Sequence, residues 1–187
     1  ITSVPFVTII IFFLPFNNSI FSRIFPHFCG NNIINEKISL VIVMKIERLK
    51  SIRENKELTQ AKVANILNVE RSTYTGWETG RDTIPLVRLN VVCRTFNVSF
   101  DYIMGLSDKP KSYEEIDVNA KVIGNNFKKF RKDKKLPQKA IFTELNTTSS
   151  TWSAYETGKV IIKTDFLYTV CKKYNLSVDK MLSSKDT

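Results

Sequence analysis

The segment Arg71-Ser72-Thr73-Tyr74-Thr75-Gly76 sets a guanidinium and the hydroxyls of Ser72 and Thr75 on the side of a helix opposite its aromatic stripe. A helix that presents small polar and basic groups can enter the major groove of DNA, whose width admits it and whose base edges accept from such donors. An arginine there can offer a two-pronged contact to guanine. The plain alternative is a solvated face on a small bundle, and periodicity alone leaves both readings open. Enzyme chemistry finds no support, because the chain has no glycine-rich phosphate loop and no paired nucleophile and base. The three cysteines fit neither a zinc spacing nor a disulfide framework, and His27 stands without a ligand set. Neither a metal nor a cofactor is expected. Cys93 and Cys171 each sit inside an apolar run ("VVCRTF", "TVCKKY") and read as core thiols of a reducing compartment.

The elements that must hold that segment are short helices. In "KIERLKSIRENKELTQ" Ile46, Leu49 and Ile52 recur at helical spacing. Thr59 is a good N-cap for "LTQAKVANILNV", whose Val63, Ala64 and Leu67 share a face. Asn68 suits a left-handed turn residue, and Tyr74 and Trp77 form the inward stripe of a third helix stopped by Gly80. Pro85 can open a fourth helix and Ser99 can cap a fifth. The pattern is all-α, with a helix-turn-helix joining the second and third helices.

This unit occurs twice. "YTGWETG" at residue 74 returns as "WSAYETG" at residue 152, and a shift of 78 carries Leu136, Gln138, Leu145, Asn146, Cys171, Asn175, Ser177 and Asp179 onto Leu58, Gln60, Leu67, Asn68, Cys93, Asn97, Ser99 and Asp101. A tandem duplication is expected. Residues 44–106 and 121–187 then form two domains, 107–120 a linker, and 1–43 a separate hydrophobic segment. That segment holds seven of the thirteen phenylalanines and almost no charge. It reads best as translated upstream DNA ahead of Met44, with a membrane anchor or an ordered extra segment as alternatives. A membrane partner is therefore expected only if residues 1–43 are expressed. The net charge of +10 divides as +1 in residues 1–43, +3 in 44–110 and +6 in 111–187. Such a surplus serves solubility or attracts phosphate.

The run "LTQAKVANILNVERSTYTGWETGRDTI" resembles the Cro/cI-type (XRE-like) helix-turn-helix of phage repressors and many bacterial regulators. The Leu-Thr-Gln, the buried alanine of the second helix and the aromatic-Glu-x-Gly after the third match in order and spacing. The resemblance implies two tandem five-helix lambda-repressor-like bundles. It makes Gln60 a phosphate clamp, Arg71, Ser72 and Thr75 readers of bases, and Thr79 and Arg81 contacts to the DNA backbone. Gly76 stands where the family often carries a longer reading side chain. Arg53 and Glu78 would form an ion pair tying the first helix to the end of the third, repeated by Arg131 and Glu156.

The second repeat departs from the pattern. Pro137 replaces the capping threonine, Phe142 replaces the small Ala64, and Thr147 stands for Val69, which puts the angle between its second and third helices in question. Its reading face offers Ser149, Ser150, Ser153 and Ala154 with no counterpart of Arg71. By the resemblance it would hold DNA through phosphates at Gln138 and Lys159, or it has drifted into a protein-binding module. A linker of about fifteen residues could extend to roughly 50 Å, beyond the ~34 Å between half-sites one turn apart. The sequence thus leads to a cytoplasmic, nucleoid-associated DNA-binding regulator, a repressor, with double-stranded DNA as partner. A homodimer stays open and no small-molecule effector is evident. The alternative is an interaction module such as an antitoxin or anti-repressor.

Overall fold

The computed structural model describes residues 46–184, and every element among them is a helix. The readings made of residues 1–43, with His27, lie outside the described residues. The first repeat runs α1 (Glu47–Asn55), α2 (Gln60–Ile66), α3 (Arg71–Thr79), α4 (Leu86–Phe96) and α5 (Phe100–Ile103). The second runs α6 (Ala120–Asp133), α7 (Gln138–Glu144), α8 (Ser149–Glu156), α9 (Thr164–Tyr174) and α10 (Val178–Leu182). The fold is the expected all-α one.

Local chemistry sets the helix ends. The Thr59 hydroxyl accepts from Lys62 N–H at 3.2 Å, and Ser99 and Ser177 cap α5 and α10 in the same way, each at 3.2 Å. Asn68 and Asn146 take the left-handed turn between the second and third helices at φ 52° and 49°, where asparagine tolerates what branched residues do not. Gly80 closes α3 at φ 77°. Pro137 precedes α7 in extended geometry and supplies no side-chain cap. Each bundle closes over its aromatic pair: Tyr74 and Trp152, one shift of 78 apart, are completely buried. The Phe142 ring is half-buried at the core edge, where the first repeat buries Ala64, and Ile141, the counterpart of Val63, is buried. α6 and α8 come close at Gly124, where a Cβ would come within 2.3 Å of the Tyr155 carbonyl.

The repeats meet through matching parts. Asp179 accepts from the N–H groups of Phe100 and Asp101 at 2.9 and 3.1 Å, and Asp101 accepts from Val178 N–H and the Ser177 hydroxyl, both at 2.6 Å. Each carboxylate therefore caps the other repeat's last helix, where free N–H groups and the helix dipole favour negative charge. Burial, with the facing Asp101 carboxylate, pushes Asp179 above the ordinary carboxylate range against the pull of its two backbone donors. The Thr164 hydroxyl adds a bond to the Ile84 carbonyl at 2.6 Å.

The connection between repeats is not the free tether that an extended reach requires. Arg48 donates to the Ser107 carbonyl and pairs with Asp108, Ser99 N–H donates to the Lys111 carbonyl, and Tyr113 hydroxyl donates to Asn90. Asn90 in turn donates to the Ile116 carbonyl, and the Ile116 side chain is buried. An apolar anchor and a series of hydrogen bonds hold the segment on the first repeat, which shortens its span below the extended limit. Asp179→Ala removes the two hydrogen bonds that cap α5 at the junction, so its urea midpoint should fall by the equivalent of about 1–2 kcal/mol. A second substitution at Asp101 should add less than its separate effect, which a double-mutant cycle measures.

Candidate nucleic-acid interface

The outward face of α3 depends on what is bound beneath it. Arg53 on α1 meets Glu78 near the end of α3 through two bonds, Nε to Oε2 at 3.0 Å and Nη2 to Oε1 at 2.7 Å, and both side chains are nearly buried. Its Nη1 donates to the Leu58 carbonyl at 2.8 Å, just ahead of α2, so one guanidinium ties three elements together. Arg131 repeats this with Glu156 at 2.5 and 2.9 Å and with the Leu136 carbonyl at 3.1 Å. The second pair is more fully bonded. The Trp152 indole donates to Glu156 at 2.8 Å, whereas Tyr74, its counterpart, has a buried hydroxyl without a hydrogen-bond partner.

With α3 fixed at its far end, Arg71 and Ser72 at its start are exposed. Thr75 is half-buried, and its hydroxyl donates to Gln60 Oε1 at 3.1 Å or to the Arg71 carbonyl at 2.8 Å. Gln60 opens α2, so this contact bridges the two helices on the exposed side. The Thr79 hydroxyl folds back to the Thr75 carbonyl at 2.8 Å. Arg81 does not extend past the helix. Its Nη2 lies 3.0 Å from the Ser72 carbonyl, and its Nε and Nη2 both reach Asp82 Oδ2, at 3.0 and 2.8 Å. Sequence reasoning passed over Asp82; its place beside Arg81 was the available signal.

The second repeat arranges these positions otherwise. Gln138, the counterpart of Gln60, donates to Glu156 Oε2 at 2.7 Å and so faces the buried pair. The reason is local: Glu156 has a lone pair in reach, and the Gln138 amide completes its shell. Ser149 is exposed, Ser150 shares a hydrogen bond with the Thr148 hydroxyl at 2.9 Å, Ser153 is half-buried, and Lys159 is exposed just beyond α8. Burial would raise the Glu156 carboxyl, but the bonds from Arg131, Gln138 and Trp152 outweigh it and hold it below its ordinary value. Cys93 and Cys171 are buried free thiols, and burial pushes Cys171 up to about 12.

Two family models match this chain. One described as "Helix-turn-helix" covers residues 49–103, and one described as "Helix-turn-helix domain" covers 124–186. The chain carries two tandem helix-turn-helix domains. In both, the matched range includes the α2–α3 or α7–α8 pair described above, and the type is the XRE-like one. Over 67 residues, 36% of this chain, it is 36% identical to an uncharacterized HTH-type transcriptional regulator, YobD, of Bacillus subtilis (strain 168). Over 76 residues, 41% of this chain, it is 26% identical to the antitoxin PezA of Streptococcus pneumoniae serotype 4. The matches span 60% and 48% of those relatives. No solved structure gives a significant match.

The helix-turn-helix domains should be sensitive to loss of either buried ion. Arg53→Met strands Glu78 and should cost about 3–5 kcal/mol, while the double change with Glu78→Leu should recover much of it. Chemical denaturation of the three proteins checks this. Because the folded-state value of Glu156 is depressed, its contribution is complete above the ordinary carboxylate range and disappears as pH falls through the depressed value. Glu156→Gln should therefore flatten the acid limb of the stability–pH curve, read by denaturation at stepped pH.

Proposed function

We propose that this chain is a sequence-specific DNA-binding regulator of transcription, a repressor that occludes polymerase, with α3 of the first helix-turn-helix domain as its reader. The observation that carries the reading is the joined surface of α2 and α3: Arg71 and Ser72 are exposed, and Gln60 is tied to Thr75 beside them. A guanidinium on such a helix supplies donors for base edges, and the first turn of α2 favours a phosphate near Gln60. The second domain contributes phosphate contacts through Lys159 and its larger basic surplus. Gln138 has its amide committed to Glu156, so its share of that role falls to its remaining groups. Two unlike readers in one chain favour an operator that is not a palindrome.

A second reading is supported by the serine face of α8 and by the similarity to a protein named as an antitoxin. In that case the second domain binds protein. Titration of genomic fragments at two salt concentrations, followed by site selection from random DNA, separates the two. The regulator reading expects footprints, a steep salt dependence, and an Arg71→Ala variant that loses roughly 5- to 150-fold discrimination at one base pair. Binding no stronger than the non-specific background on every fragment, beside tight capture of a protein, favours the second reading.

A further inference from the structure

We infer that Arg81 reads a base rather than a phosphate, from a position that Gly76 and Asp82 prepare on the face of α3; this rests on the DNA-binding reading above. Three observations converge on it. Ser72 is exposed, Gly76 one turn on is buried beneath the side chains of Arg81 and Asp82, and the Arg81 guanidinium lies 3.0 Å from the Ser72 carbonyl. The space exists because residue 76 has no side chain. A Cβ there would stand 2.1 Å from Asp82 Oδ2 and 2.6 Å from Arg81 Nη2. Asp82 is itself anchored over the same residue by its N–H, which donates to the Gly76 carbonyl at 3.1 Å. The arginine thus occupies the mid-helix position from which a longer side chain at residue 76 would reach outward.

Charge decides between base and phosphate. The Arg81–Asp82 pair is exposed, at 62% and 51% of the side chains, and carries no net charge. A phosphate approaching Arg81 would meet the Asp82 carboxylate as well, which cancels much of the attraction. A base edge is neutral and gains from a guanidinium whose orientation is fixed in advance. Nε and one proton of Nη2 are taken by Asp82, and a second Nη2 proton faces Ser72. Nη1 keeps its protons for an acceptor outside the protein, and guanine presents N7 and O6 as acceptors on its major-groove edge.

The test is site selection from random DNA with the whole chain, its Arg81→Ala and Gly76→Ala variants, and salt titrations on the selected site. Arg81→Ala should lose roughly 5-fold preference for guanine at one base pair, distinct from the pair lost in Arg71→Ala, with the salt slope unchanged. Gly76→Ala should lose the same preference, because the methyl displaces two flexible side-chain ends, while its thermal midpoint stays equal or rises as alanine replaces a helical glycine. That variant separates a misplaced reader from a damaged fold. A uniform loss of affinity over all sequences with the salt slope reduced by about one would make Arg81 a phosphate contact and overturn the inference. An unchanged base preference in Arg81→Ala would overturn it too, while leaving the DNA-binding reading intact. If the wild-type chain selects no sequence at all, both fail together.

Discussion

In each repeat a largely buried guanidinium bonded to a buried carboxylate ties the first helix to the third. Arg53 and Arg131 come from the first helix, Glu78 and Glu156 from the end of the third, and both arginines also hold the carbonyl just ahead of the second helix. A bundle of such short helices has little core with which to set an angle, so a two-pronged polar contact takes that part. The partners are interdependent. A lone charge left at either position would sit in a medium that cannot solvate it. The exposed Arg71 and Ser72 open the helix that this pair holds at its other end.

The duplicated chain uses the same economy at its junction. Asp101 and Asp179 exchange places as caps for each other's final helix, so the two repeats are joined by a reciprocal contact within one chain. Ile116 and Tyr113 then hold the connecting segment against the first repeat. The two bundles are alike in backbone but not in surface chemistry. Trp152 and Gln138 complete the shell of Glu156, whereas the Tyr74 hydroxyl stays unbonded and Gln60 turns to Thr75. The second repeat thus bonds its buried carboxylate more fully than the first.

Much of the architecture could be read from short stretches of sequence. The duplication is written in the shift of 78 residues. The helix ends follow from Thr59, Ser99, Asn68 and Gly80, because a cap or a left-handed turn is settled by atoms three or four residues apart. The placement of Phe142 was not legible in this way: its ring is half-buried at the core edge where the first repeat buries Ala64, and residue type alone does not fix how far a ring enters a core.

What local sequence could not decide is where long polar side chains end. Gln60 and Gln138 occupy equivalent positions, yet one bonds Thr75 and the other Glu156. Arg81 follows a helix stop and would be expected to point away, but it lies back along α3 because Gly76 leaves room and Asp82 holds it there. The sequence by itself determined the repeat, the helices and the residues able to donate to a nucleic acid. Tertiary structure alone decided which of those donors are already engaged and which stay free, because a flexible side chain takes whichever partner the packed fold brings within about 3 Å.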